Sequence, residues 1–310
     1  MTTSYALDGA APLPHLGLIR AQGADAATFL HGQLTNDFAL LDTAHARLAG
    51  YCSAKGRLLA SFIGWKRADD DLLLACSADL LAATQKRLSM FVLRAKCKLS
   101  DATAQWRLLG LAGSSALAWL GDATPAAVWD KTTHQGADIV RLPDADGAPR
   151  FLWAAPIDTP APDLPALDTA AWRWAEVASG VAQVEAKTVD QFVPQMLNYE
   201  LVGGVDFKKG CYPGQEIVAR SQYRGTIKRR SFLFNSDAAM SAGVEVFHAA
   251  DPSQPAGLVA NAATAADGRH LGLIELKLAA LETGSLHLGA ADGPLLNRAE
   301  MPYPLPVDAG

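Results

Sequence analysis

Helical periodicity stops near residue 222, and the segment beyond it has only short strands to build with. Strand-like runs at 231–235, 244–248, 257–262, 270–276 and 285–288 are separated by Gly, Asp or Pro. Runs of that kind bury their apolar side chains by pairing into an antiparallel barrel or sandwich, here of about 80 residues. Before residue 222, strand and helix signals alternate irregularly, which predicts an α+β body. At 310 residues the chain exceeds the usual size of one compact core. The expected division is therefore a body over 1–222, made of two subdomains, and a β-barrel over 223–310.

Within the body, Phe29, Leu30 and Leu34 recur at helical spacing and predict a helix over 24–34, capped by Asp25. Thr35, Asn36, Asp37 and Phe38 then supply turn chemistry, with an amide and a carboxylate free to face a ligand. Strands over 47–52 and 57–66 are joined as a hairpin by Ser53, Ala54, Lys55 and Gly56. A strand over 72–76 leads to a helix capped by Ser77, with Leu80, Thr84, Leu88 and Phe91 on one face. Further strands are expected at 96–99, 107–111, 138–142 and 151–154, and a loop over 156–166. Asp168 caps a last helix carrying Trp172, Ala175 and Ser179, which Gly180 ends. Trp172 and Trp174 read as core anchors. The proline-patterned tail over 301–310 reads as extended surface chain.

Charge and cysteine usage narrow the function. A net charge of −5 makes no global case for nucleic acid or an anionic membrane. Locally the balance inverts: Lys208, Lys209, Arg220, Arg224, Lys228, Arg229 and Arg230 face a single acid, Glu216. That excess reads as an anion-binding surface, or as a strand edge kept charged against aggregation. Cys52, Cys76, Cys97 and Cys211 are widely separated, with no C-x-x-C and no histidine at ligand spacing. This argues against structural zinc, a contiguous iron–sulfur motif or a disulfide framework, and no metal ligands are assigned. No basic leader and no apolar run of about 20 residues is present, so a cytoplasmic protein without a membrane segment is expected.

The chemistry concentrates at Lys208-Lys209-Gly210-Cys211-Tyr212-Pro213-Gly214-Gln215-Glu216. Two lysines precede the thiol, and a helix is expected to start just after it. Cations and a helix N-terminus both favour a thiolate, so Cys211 is the candidate functional side chain, against the plainer reading of a small loop cysteine.

Several stretches together resemble the YgfZ family of folate-binding proteins, relatives of the glycine cleavage T-protein (aminomethyltransferase). They are residues 29–37 (FLHGQLTND), 53–57 (SAKGR), 92–96 (VLRAK), 191–198 (QFVPQMLN), 203–207 (GGVDF) and 209–216 (KGCYPGQE). The resemblance implies ferredoxin-like subdomains and a C-terminal β-barrel arranged in a ring around a central opening. It also implies tetrahydrofolate as a non-covalent ligand and a role in maintaining iron–sulfur enzymes, including those that modify tRNA. Its signature residues carry over to Lys209 and Cys211 as working groups and to Gln215 and Glu216 near the cofactor. By residue type and analogy, Asn36, Asp37 and Asn198 would meet the folate head, and Lys55, Arg220 and Arg224 its glutamate tail. Asn198 reads equally as a satisfied buried amide.

Departures from the T-protein matter. Its acidic pair on the second hairpin strand falls on Ala60 and Ser61 here, and no G-Y-T-G-E segment appears around 151–157. Folate binding without the glycine-cleavage reaction is therefore expected. Three functions compete: an iron–sulfur accessory factor working through Cys211, a one-carbon transferase on another substrate, and an RNA- or protein-binding module using the 208–230 cations.

Overall fold

A computed structural model describes residues 7–223 and 227–306. The chain begins with β1 (Gly9–Pro12), β2 (Leu16–Gln22), α1 (Ala26–His31), β3 (Ala46–Cys52), β4 (Leu58–Ala68), β5 (Asp71–Ser77), α2 (Leu81–Ser89) and β6 (Lys98–Asp101). Next come β7 (Trp106–Ala112), α3 (Gly113–Leu120), β8 (Lys131–His134), β9 (Ala137–Ala145), β10 (Ala148–Pro156), α4 (Thr169–Ala178) and α5 (Gln215–Tyr223). The final strands are β11 (Arg229–Ser236), β12 (Glu245–His248), β13 (Gly257–Thr264), β14 (His270–Lys277), β15 (Leu286–Leu288) and β16 (Leu295–Arg298).

They form two antiparallel five-stranded sheets, β3-β4-β5-β2-β6 and β1-β7-β10-β9-β8, and a closed barrel, β11-β14-β13-β12-β15-β16. The expected α+β architecture with a C-terminal antiparallel barrel is the one observed. Period-two alternation explains how each sheet buries both faces. On β5, Leu72, Leu74 and Cys76 pack with Leu30, Phe38 and Leu88 on the helix side, while Leu73 and Ala75 point the other way. On β10, Phe151 and Trp153 join Ala116 and Leu120 of α3, while Leu152 and Ala154 meet Trp172. Phe232, Phe234, Val246, Val259, Ile274 and Leu276 fill the barrel. Trp172 is fully buried, and its ring lies over Gly110, where an added Cβ would come within 2.4 Å of it. Removing that ring would cost roughly 3–5 kcal/mol.

Several local readings are corrected. Asp25 precedes α1 without capping it; its carboxylate instead accepts the Lys96 amide at 2.7 Å. Ser77 ends β5 and donates to Asp79 at 2.6 Å, so α2 starts at Leu81 without a side-chain cap. Leu80, Thr84 and Leu88 are buried as their spacing predicts, but Phe91 is exposed because α2 has already ended. α3 was not foreseen, and neither was β16, which closes the barrel against β11 and β15. Asp168 does cap α4, accepting the Ala170 amide at 2.7 Å. Tyr303 in the tail donates to the Gly180 carbonyl at 2.8 Å. Among the described residues no helix is long and apolar enough to cross a membrane.

Candidate functional site

The loop that carries Cys211 is pinned by the lysine two residues before it. The Lys209 ammonium is buried and donates to the carbonyls of His31 and of Leu34, the latter at 2.6 Å. The His31 carbonyl is one of the acceptors left unpaired at the end of α1, and Leu34 lies three residues beyond it. The Tyr212 ring centre sits 4.9 Å from the same nitrogen. Burial pushes the Lys209 pKa down to about 8, against the pull of Asp37, Asp206 and Cys211. His31 Nδ1 lies 3.0 Å from Asp37 Oδ1, and Asp37 also accepts the Leu40 amide at 2.9 Å. Burial opposes the Asp37 anion, but the Leu40 amide and His31 outweigh it and hold the carboxyl below the usual carboxylate range. The other ring nitrogen, Nε2, faces Gly210, where an added Cβ would approach it to 3.3 Å.

Cys211 itself is exposed. The other thiols contrast with it: burial pushes Cys52 and Cys76 up to about 12 and Cys97 up to about 11. Two glycines at positive φ, Gly56 and Gly214, press the hairpin between β3 and β4 against the start of α5. A Cβ on Gly214 would meet the Ser53 carbonyl at 2.4 Å, and one on Gly56 the Ile217 Cβ at 2.8 Å. This brings Lys55, Gln215 and Glu216 to the same end of the molecule as Cys211, with Lys55, Glu216 and Arg220 all exposed.

Two asparagines assigned to a ligand do other work. The Asn198 side chain is fully buried at positive φ; it donates to the Ser231 carbonyl at 2.9 Å and accepts from Arg230 at 3.2 Å. It joins the body to the barrel, which is the satisfied-amide alternative. Asn36 donates to the carbonyls of Leu48 at 2.8 Å and Gly203 at 2.7 Å, and accepts the Asp37 amide. Its hydrogen bonds hold the 203 loop on β3. The basic run is also not one surface. Lys209 is buried, Arg229 is paired with Glu275, and Arg230 with Glu200 at 2.6 Å. Arg224 lies outside the described residues.

A central cavity of about 80 Å³, partly open to solvent, lies where the two sheets, α4 and the barrel meet. Leu48, Ser61, Phe62, Ile63, Leu142 and Val177 are among the side chains that wall it, together with Trp129, Arg150, Glu176 and Asn261. None of Asn36, Asp37, Lys55, Asn198, Gln215, Glu216 or Arg220 lines it. Arg150 is the electrostatic feature. It is 2 % exposed, its Nε donates to the Pro143 carbonyl at 3.0 Å, and its Nη1 has no partner among the described residues. Burial lowers its pKa to about 10, which leaves a guanidinium fully charged near neutrality. Glu176 is held ionised against its burial by His15, 3.0 Å away, and then by Arg173 and Arg150. Trp129, at φ +72, also borders an open cleft of about 550 Å³ with Arg47, Phe207, Lys208 and Tyr223. Sequence reasoning missed the cavity because its walls are spread over the chain; the one local signal was Arg150 opening an apolar strand run.

Ser61 borders the cavity, where its hydroxyl accepts the Val184 amide at 2.8 Å. Among the described residues no group of three or more His, Cys, Asp or Glu is placed to hold a metal.

No family model matches the chain. It is 34 % identical over 237 residues to the tRNA-modifying protein YgfZ of Edwardsiella ictaluri, covering 71 % of this chain and 69 % of that one. Its identity to the protein of that name in Vibrio vulnificus is 32 % over 243 residues, or 74 % and 71 % of the two chains. The chain belongs to the YgfZ family. Among solved structures, the fold of this YgfZ-family protein matches the glycine cleavage system aminomethyltransferase T from Bartonella henselae, with a TM-score of 0.70 over 96 % of this chain and 86 % of that one. At 17 % identity the likeness concerns the fold alone.

Proposed function

We propose that this protein is a tetrahydrofolate-binding accessory factor for the assembly or repair of iron–sulfur enzymes, including those that modify tRNA, with Cys211 as its working thiol. It works in the cytoplasm, and the body over 1–222 holds the ligand while the barrel over 223–310 closes the ring. The observation that carries the reading is the contrast among the cysteines: three are buried or half-buried with raised pKa values, and Cys211 alone is exposed, on a loop anchored by Lys209. A lone thiol cannot hold a cluster. It can carry one sulfur, enter one mixed disulfide, or give one ligand to a cluster that a partner completes. The printed name of the relatives, tRNA-modifying protein, supports the tRNA connection.

The central cavity fits a pterin better than the residues first assigned. Its walls are largely apolar, and the unpaired Arg150 Nη1 offers a donor to a ring nitrogen or oxygen. Its volume suits a ring edge and a few waters and not a whole folate, so the tail would lie in the mouth. Bound there, tetrahydrofolate would supply a carrier for one-carbon units. Ser61 places a hydroxyl on the wall where transfer chemistry calls for a carboxylate, which supports binding without aminomethyl transfer. Complementation of a deletion strain tests the reading. Cys211→Ser should bind tetrahydrofolate as the native protein does and fail to restore iron–sulfur enzyme activity; full restoration would refute the role of the thiol.

A further inference from the structure

Besides Lys208, Arg220 and Lys228 in the 208–230 run, exposed cations gather in a second place on this protein. Between residues 80 and 100 the chain carries Lys86, Arg87, Arg94, Lys96 and Lys98 and no acid, and all five are exposed. The same stretch projects apolar side chains: Met90 is 59 % exposed, Phe91 46 % and Leu93 87 %. Leu93 also sits at φ +44, a conformation a bulky side chain rarely adopts. That conformation closes a turn in which the Val92 carbonyl accepts the Ala95 amide at 2.8 Å, and the projection is firmly based. Asp25 accepts the Lys96 amide at 2.7 Å and donates its own amide to the Lys96 carbonyl at 3.1 Å. Gly23 packs so tightly on that carbonyl that a Cβ would come within 2.2 Å of it. Met90 joins the projection to a groove of about 330 Å³, which Tyr51, Leu59, Leu80 and Val189 line together with Lys86 and Arg87.

We infer that α2, the 90–96 projection and this groove form a docking surface for an acidic, amphipathic helical segment of a partner protein. Charge complementarity selects the sign: five exposed cations outnumber the one carboxylate packed at the base of the projection, Asp25, and match glutamate and aspartate. Shape selects the class. A concave apolar groove takes side chains spaced along one face of a helix, whereas a bilayer surface cannot fill a concavity. Unpaired RNA bases stack on aromatic planes, and only one of the three projecting apolar side chains is aromatic. A tip held in one conformation before binding loses little freedom on docking. The inference does not depend on folate or on Cys211.

A synthetic helical peptide with leucines at i, i+3, i+4 and i+7 and glutamates elsewhere is the probe, with a scrambled peptide of the same composition, a single-stranded RNA oligonucleotide and phosphatidylglycerol vesicles alongside. The amphipathic peptide should bind, and the scrambled one should bind at least about tenfold more weakly. Met90→Ser/Phe91→Ser/Leu93→Ser and, separately, Lys86→Glu/Arg87→Glu should each weaken binding about tenfold or more, the first as loss of an apolar anchor. Both variants alter exposed side chains and should unfold at the native temperature. Absence of peptide binding, equal binding of the scrambled peptide, insensitivity to both variants, tighter binding to RNA or vesicles, or a self-association abolished by the triple variant would each overturn the inference.

Discussion

Lys209→Met offers a test of the reasoning about the signature loop through stability alone. The ammonium is removed from water and set on the His31 and Leu34 carbonyls, and burial takes its pKa from 10.5 to about 8. In the unfolded chain the same lysine stays protonated up to about 10.4. Between these values the unfolded state binds more protons, so stability rises with pH across that window. The Lys209 contribution is complete above the unfolded value and is lost as pH falls through the folded one. At 1.36 kcal/mol per pH unit the span corresponds to roughly 3 kcal/mol; residual hydration of the ammonium reduces it to about 1–2 kcal/mol. The assay is urea unfolding of Lys209 and Lys209→Met chains at intervals from pH 7 to 10, both in a Cys211→Ser background so that the neighbouring thiol does not titrate. Tyrosines and the other cysteines cancel in the difference. The native chain should gain about 1–2 kcal/mol on the variant over this range. A flat difference, or one that shrinks as pH rises, would mean that burial does not lower the Lys209 pKa, and the reasoning from its desolvation would fail.

Three further outcomes are expected. A thiol reagent should modify Cys211 fastest in the folded protein, the half-buried Cys97 more slowly, and Cys52 and Cys76 only in denaturant; a comparable native rate at Cys52 or Cys76 would contradict their burial. Arg150→Met should weaken tetrahydrofolate binding tenfold or more, as loss of a charged donor does, in a chain that still unfolds cooperatively but at a lower midpoint, because Glu176 and the Pro143 carbonyl lose a partner. Unchanged affinity by calorimetry would place the ligand elsewhere. Arg230→Met leaves Glu200, a carboxyl whose pKa burial already raises, without its ion-pair partner; urea unfolding should show a loss of roughly 3–5 kcal/mol, and a loss below about 1 would mean that water reaches the pair.

Local rules carried the fold wherever one element could state its own case. Asp168 and Gly180 bracket α4 because cap and stop are properties of a few adjacent residues. The β3–β4 hairpin was legible from four turn residues between two apolar runs, and five of the six barrel strands from their spacing. What failed required knowledge of a distant partner. Asp25 has the chemistry of a cap, yet Lys96 lies opposite it, and the carboxylate goes there. Phe91 continues the buried spacing of α2, but the helix ends first and the side chain turns outward. The basic run divides for the same reason: Glu200 and Glu275 neutralise Arg230 and Arg229 from other parts of the chain, while Lys208, Arg220 and Lys228 stay exposed. Asn198 was read as ligand-facing or buried, and only the arrival of Ser231 and Arg230 beneath it decides between them.

The cavity and the thiol occupy different places, and that separation constrains how they can cooperate. No residue from 208 to 216 lines the cavity, so a ligand seated against Arg150 does not touch Cys211 from within it. One element reaches both sites. The middle of β4 gives Ser61, Phe62 and Ile63 to the cavity wall, while the hairpin that precedes it is locked through Gly56 to Gly214 and Ile217. A ligand that shifts β4 therefore moves the turn on which the Cys211 loop rests, and the close glycine contact allows little slack. On the other side, Trp129 stands between the cavity and the cleft bordered by Lys208, three residues before the thiol. Folate dependence of Cys211 reactivity would thus report movement of β4 or Trp129 and not a shared pocket. A hairpin variant such as Gly56→Ala, which loosens the first route, should reduce that dependence while leaving folate affinity largely intact.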